Sequence, residues 1–206
     1  MKLLTLRLFV LSAVVGLSAC SPKLQTPEGY PTLYVSPDNS NVLVFAKPHL
    51  DLSAYRTIHI DPITVKLPAD AAGDADQVAS YLDAQLRANL SKSFTLVDQP
   101  GPDVLRLRFS VVGAEPTSKA QMVMMVPPFS MVNMVSPKGA FIGSVTIGGE
   151  VFEGAAKEAS AAFLVYGSRP GIDATVQFRR WDAAKKVIDK FAERLAEDLE
   201  VLRKPD

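Results

Sequence analysis

The sequence predicts an α/β (α+β) two-layer sandwich: one mixed β-sheet of about five strands with two main helices on one face. Three observations carry this. Residues 104–112 alternate, with Leu105, Leu107, Phe109 and Val111 on one side and Arg106, Arg108 and Ser110 on the other, as in a strand with one dry and one wet face. Val78, Leu82, Leu86 and Leu90 recur at helical spacing, as do Trp181, Ala184, Ile188, Phe191, Leu195, Leu199 and Leu202, so two stretches read as amphipathic helices. Strands and helices with single apolar faces must bury them against another layer, and one sheet backed by two helices is the economical packing.

Ahead of these elements stands a different signal. Lys2 and Arg7 make a short basic region, and Leu8 to Leu17 is apolar, broken only by Ser12 and Gly16. About ten residues are too few for a bilayer-spanning helix, which needs roughly 20. The run ends in Leu17-Ser18-Ala19-Cys20, and Cys20 is the chain's single cysteine. This pattern resembles the lipobox of bacterial type II signal peptides. The resemblance implies a diacylglyceryl thioether on Cys20, cleavage just before it and acylation of the new amine. Two or three acyl chains anchor firmly where one does so only marginally. An ordinary secretory signal with a buried cysteine, or a membrane helix, is the alternative; spacing, small flanks and the lone cysteine favour the lipobox. Ser21, a residue other than Asp, implies by the enterobacterial sorting rule the periplasmic face of the outer membrane.

The implied organisation is a signal peptide at 1–19, a lipidated cysteine and proline-rich tether at 20–41, and one domain at 42–206. Pro22, Pro27, Pro31 and Pro37 lie among Ser, Thr, Gly and Asn. Such a segment is extended and semi-rigid, reaching at most roughly 60 Å at about 3.1 Å per residue.

Within the domain, Tyr55 to Ile60 alternates and Asp61-Pro62 ends it, giving a strand. Asp74 followed by Gln77 resembles a capping box opening the first helix, which runs to about Ser93. Thr95 to Val97 is a short strand, Gln99 to Pro102 a turn, and residues 104–112 the central strand. Ile142 to Ala156 is glycine-punctuated and extended; Glu158-Ala159-Ser160 turns it into Ala161 to Tyr166 as a hairpin. Asp173 is an N-cap candidate for the last helix, whose wet face carries pairs such as Asp182 with Lys186 and Glu200 with Lys204.

Residues 113–138 hold five of the six methionines together with Pro127-Pro128, and the adjacent prolines exclude a continuous transmembrane helix. Met124, Met125, Phe129 and Met131 are the candidate contact residues, since methionine adapts to irregular apolar partners and long loops in compact domains are often functional. The loop either serves as that contact surface or folds back over an edge or open face of the sheet.

Several placed segments resemble the bacterial lipoprotein family called domain of unknown function 3313. They are Tyr55 to Val65 with its Asp-Pro exit, Pro102 to Leu107, Gly148-Gly149-Glu150-Val151-Phe152-Glu153, and Trp181 with Phe191-Ala192-Glu193-Arg194-Leu195. The likeness covers the chain from about residue 42. It departs in the short Glu158-Ala159-Ser160 turn and in Phe191, where a tryptophan is common. It implies location and architecture and carries over no catalytic residue.

The 22 basic and 22 acidic residues balance, leaving no electrostatic footprint for nucleic acid. With its only thiol acylated the chain has neither disulfide nor thiol redox chemistry. His49 and His59 lack ligand-spaced neighbours, so no metal and no cofactor is expected. No phosphate loop or nucleophile elbow occurs. The glycines at 139, 143, 148 and 149 read as bulges or close strand contacts. Glu150 and Glu153 fall on opposite strand faces, and Glu193, Asp198 and Glu200 on a wet helix side. Arg106 and Arg108 share a strand face, either simply solvated or paired with a neighbouring strand, or else open to an anionic polymer or headgroup. A hydrolase built from dispersed residues would need a Ser or Asp within hydrogen-bond reach of His59. The expectation is a non-catalytic, lipid-anchored envelope protein with an envelope protein partner; the alternative is a binding module for a lipid or small apolar ligand with the methionine loop as lid.

Overall fold

The computed structural model describes Leu24 and residues 26–48, 50–115, 141–170 and 181–203. Asp173 and residues 116–138 of the methionine-rich stretch lie outside this set, while residues 113–115, expected to open that loop, belong to a strand. The order is β1 (Tyr34–Ser36), β2 (Asn39–Ala46), β3 (Thr57–Ile60), β4 (Thr64–Val65), a 3-10 turn (Ala69–Asp74), α1 (Ala75–Leu90), β5 (Thr95–Val97), β6 (Val104–Glu115), β7 (Phe141–Glu153), β8 (Ala161–Pro170) and α2 (Asp182–Arg203). These strands make one mixed sheet in the order β1-β2-β8-β7-β6-β3-β5, with β4 also on β6. β3, β4 and β5 join in parallel and the other pairs are antiparallel.

The α+β class is as expected, but the sheet has eight strands, not about five. β1, β2 and β4 are the additions. β1 and β4 are three and two residues long, too short to leave a periodic signal, and exist because a longer strand lies beside them. β1 and the start of β2 also fall inside residues 20–41, the stretch expected to be a tether. Leu24, Tyr30 and Leu33 pack there with Leu43, Ala162 and Leu164. Prolines between these apolar residues suit an extended strap, because a strap lying across a sheet face needs no ladder donor.

The main core lies between the sheet and the two helices. Leu105, Leu107, Phe109 and Val111 are buried there, as the alternation requires, against Val78, Leu82, Leu86 and Leu90 of α1 and Ala184, Ile188, Ala192 and Leu199 of α2. Full burial of each Leu or Ile contributes about 1.5–3 kcal/mol. Phe191 and Leu195 pack at the margin. Leu202, placed on the apolar stripe by its spacing, is 53% exposed.

Polar ties align the helices. Trp181 Nε1 donates to Asp74 Oδ2 at 3.0 Å, Tyr81 Oη to Asp189 Oδ1 at 2.7 Å, Ser93 Oγ to Glu200 Oε2 at 3.0 Å and Arg203 Nη1 to the Ser93 carbonyl at 2.7 Å. Start meets start and end meets end, so α1 and α2 run parallel. Asp74 thus receives the indole rather than closing the capping box expected of it; its side chain makes no capping bond.

The Tyr81 tie has a pH signature. Burial first, then the Asp189 carboxylate, pushes the phenol up to about 12. The fold keeps that proton where the unfolded chain has lost it, so stability should fall as pH rises from about 10 towards 12. Tyr81→Phe should cost about 1 kcal/mol at neutral pH and remove this alkaline loss. Urea titrations of both forms at neutral and alkaline pH check it.

Candidate functional site

The helices cover only one face of the sheet. On the other, alternation places Arg106 and Arg108 of β6, Glu150 and Phe152 of β7, and His59 of β3 side by side. Register does the rest: Arg106 faces Phe152 and Arg108 faces Glu150 across β6–β7, while His59 faces Arg106 across β3–β6. Asp61 follows β3, and its amide donates to the Leu107 carbonyl at 2.8 Å, so the Asp-Pro exit points its carboxylate into the group.

Asp61 is the hub. One oxygen lies 3.3 Å from His59 Nε2; the other lies 3.3 Å from Arg108 Nε and 3.8 Å from Arg106 Nε. Arg108 Nη1 reaches Glu150 Oε2 at 3.5 Å. Both guanidiniums lie over the buried Phe152 ring, at 4.4 and 4.8 Å from its centroid, where the ring's negative face attracts cations. Burial raises the Glu150 carboxyl above its ordinary value, and the two arginines only partly offset this. Arg106 Nε is buried without a hydrogen-bond acceptor, so Asp61 holds it by charge alone.

The strap closes the other side. Tyr30 Oη and Ser110 Oγ share a hydrogen bond of 3.0 Å, and burial raises the Tyr30 phenol. A Cβ on Gly148 would sit 2.6 Å from that oxygen, so glycine there admits Tyr30. Gly149 similarly underlies Phe163, and a register shift falls at Gly143. The close-contact and bulge reading of these three glycines holds; Gly139 lies outside the described residues.

Of the alternatives for Arg106 and Arg108, ion pairing with neighbouring segments of the sheet is what the structure shows. Glu150 stands on the arginine face, which by alternation puts Glu153 on the other. His59 does have a carboxylate within reach. Its Nδ1, however, lies 3.1 Å from the Val97 carbonyl, which can only accept, so this nitrogen carries a proton. Nε2 faces a carboxylate already shared by two guanidiniums. With Nδ1 so occupied, Nε2 is the one ring nitrogen that could accept a nucleophile's proton, and it lies 3.3 Å from Asp61 Oδ1. Among the described residues no cluster of three or more His, Cys, Asp or Glu could hold a metal. The crevice between the helices, lined by Val78, Tyr81, Trp181 and Ile188, accommodates about 10 Å³, room for one water and not for an acyl chain. No helix among the described residues is long and apolar enough to cross a membrane.

Cys20, Met124, Met125, Phe129, Met131 and His49 lie outside the described residues. Sequence reasoning missed Asp61 as a hub, Phe152 as a platform and Tyr30 as a clasp. The only signals were the Asp-Pro exit and the arginine alternation, and the strand register that joins them is not local.

One mixed sheet, two parallel helices on one face and a strap with a self-neutralising ion network on the other define a small two-layer α+β domain. This chain belongs to the family described as Protein of unknown function (DUF3313), whose model matches residues 23–195. Similar solved structures include a PelC dodecamer from Paraburkholderia phytofirmans, at 11% identity over 77% of this chain and 95% of that one, TM-score 0.46. A DUF330 protein from Xanthomonas campestris aligns at 9% identity over 76% and 90%, TM-score 0.44. A DUF4136 family protein from Bacteroides thetaiotaomicron aligns at 10% over 81% and 99%, TM-score 0.33. No curated protein matches the sequence.

Proposed function

We propose that this protein is a non-catalytic, lipid-anchored envelope protein, held on the periplasmic face of the outer membrane and serving an envelope assembly through protein contacts. The observation that carries the reading is the single cysteine, Cys20, closing the ten-residue apolar run at Leu17-Ser18-Ala19. The non-helical face supports the non-catalytic half. Its carboxylates lie against its guanidiniums and its histidine, and the Nδ1 of that histidine is held by the Val97 carbonyl.

Cys20→Ala tests the anchor. Wild-type protein should incorporate labelled palmitate and fractionate with the outer membrane. The variant should incorporate none and be essentially absent from that fraction, either uncut in the inner membrane or free in the periplasm. Normal processing and outer-membrane recovery of the variant would overturn the anchor. Turnover of a substrate that depends on one residue of the purified domain would overturn the non-catalytic reading.

A further inference from the structure

We infer that the β1–β2 edge of the sheet, presenting Tyr34, Val35 and Val44, is a lipid-contacting surface lying on the headgroup layer of the membrane that holds Cys20. This rests on the acylation of Cys20 proposed above and adds the orientation of the domain on the bilayer.

Chain length sets the distance. Leu24 packs into the small cluster of Leu33, Leu43, Ala162 and Leu164, so the chain is already bound to the domain there. Between Cys20 and Leu24 are four residue steps, which span at most about 14 Å even fully extended. The polar layer of one leaflet is itself about 5–8 Å thick. A long tether would let the domain stand clear of the lipid; four residues do not.

Connectivity selects the edge. Leu33 immediately precedes Tyr34, and Leu43 is the cross-strand partner of Val35. The point nearest the anchor therefore lies beside the β1–β2 hairpin. Tyr34 is 67% exposed, Val35 61% and Val44 37%. Tyr34 pairs with Val44, and Val35 projects from the opposite side of the hairpin, so the edge offers apolar groups both ways. Tyrosine suits this position, with an apolar ring and a polar tip at an interface.

A second copy of the chain is the competing occupant, and the edge is poorly made for it. β1 has three residues and its pairing slips between Val35 and Ser36. Short, irregular edges resist strand addition.

The test uses full-length acylated protein in phosphatidylethanolamine–phosphatidylglycerol vesicles, with a nitroxide on Val35→Cys or on Ser91→Cys. The native cysteine is blocked by its thioether, and both sites are exposed. Ser91 ends α1 just before β5, at the far edge of the sheet. Accessibility to lipid-soluble oxygen relative to a water-soluble nickel chelate should be severalfold higher at position 35 than at 91. Equal ratios on protein that co-floats with the vesicles would overturn the orientation and leave the anchor standing. Failure of the protein to float would overturn both. Spin–spin broadening at position 35 that persists without vesicles would overturn the lipid contact and assign the edge to a second copy.

Discussion

Gly149→Ala should lower the stability of the domain by about 2–3 kcal/mol, although it adds one methyl group. Gly149 lies between Phe109 on β6 and Phe163 on β8, its cross-strand partners on either side. The Phe163 ring leans over the glycine: a Cβ there would stand 2.2 Å from Cζ. That lean brings Phe163 against Phe191 of α2, with centroids 5.9 Å apart, and both contact Phe109, at 6.4 and 6.2 Å. The trio joins the sheet to α2, and an aromatic covering a strand glycine is a recognised way of pinning register. The ring cannot retreat without leaving Phe191, so the added methyl overpacks the site, for which about 1–3 kcal/mol is typical. Thermal unfolding should shift down by roughly 5–10 °C for a domain of this size. A double-mutant cycle separates this from a generic strand defect. In a Phe163→Ala background Gly149→Ala should cost well under 1 kcal/mol, because the space is then vacant; equal costs in both backgrounds would refute the ring-over-glycine account.

Asp61→Ala should be the most damaging single change on the non-helical face, costing about 2 kcal/mol. Its carboxylate accepts from Arg108 and lies close to His59 and Arg106 as well, at 3.3 and 3.8 Å. Without it two guanidiniums share one phenylalanine ring with Glu150 as the acid beside them. Partial exposure of Asp61 and Arg108, 20% and 46%, keeps the cost below that of a fully buried pair. The uncompensated arginines should then respond to anions, so sulfate should raise the melting temperature of the variant more than that of wild type. An equal response would mean that Asp61 acts through its backbone and not its charge. Glu150→Gln should behave oppositely. Because burial raises its carboxyl, the folded state binds that proton more tightly than the unfolded chain. Stability is therefore present at acid pH and is lost as pH rises through the raised value. The glutamine variant should show a flatter profile above the usual carboxylate range and no loss at neutrality.

Some of this was legible because it is periodic. The strict alternation of residues 104–112 determined which side of β6 is dry, and helical spacing determined the buried faces of α1 and, to Leu199, of α2. Adjacent glycines at 148 and 149 announced close approach, since only a missing side chain admits another group at that distance. Register was not legible, and it placed Asp61 between His59 and two arginines and set Phe152 beneath both guanidiniums. Nor could sequence show that Asp74 would bond an indole from the far end of the chain.

By itself the sequence determined the α+β class, the two amphipathic helices, the wet and dry faces of the central strand and the apolar run that ends at Cys20. Each depends on residues within a few positions of one another, where spacing translates directly into a face or a length. Only the tertiary structure decided the eight-strand sheet, the ion network and the fate of the supposed tether. Whether Leu24, Tyr30 and Leu33 stretch through water or lie on a sheet depends on a surface built by β2, β7 and β8. Burying apolar groups against that surface outweighs the freedom of an extended chain, and no local pattern encodes a surface that the chain completes more than a hundred residues later.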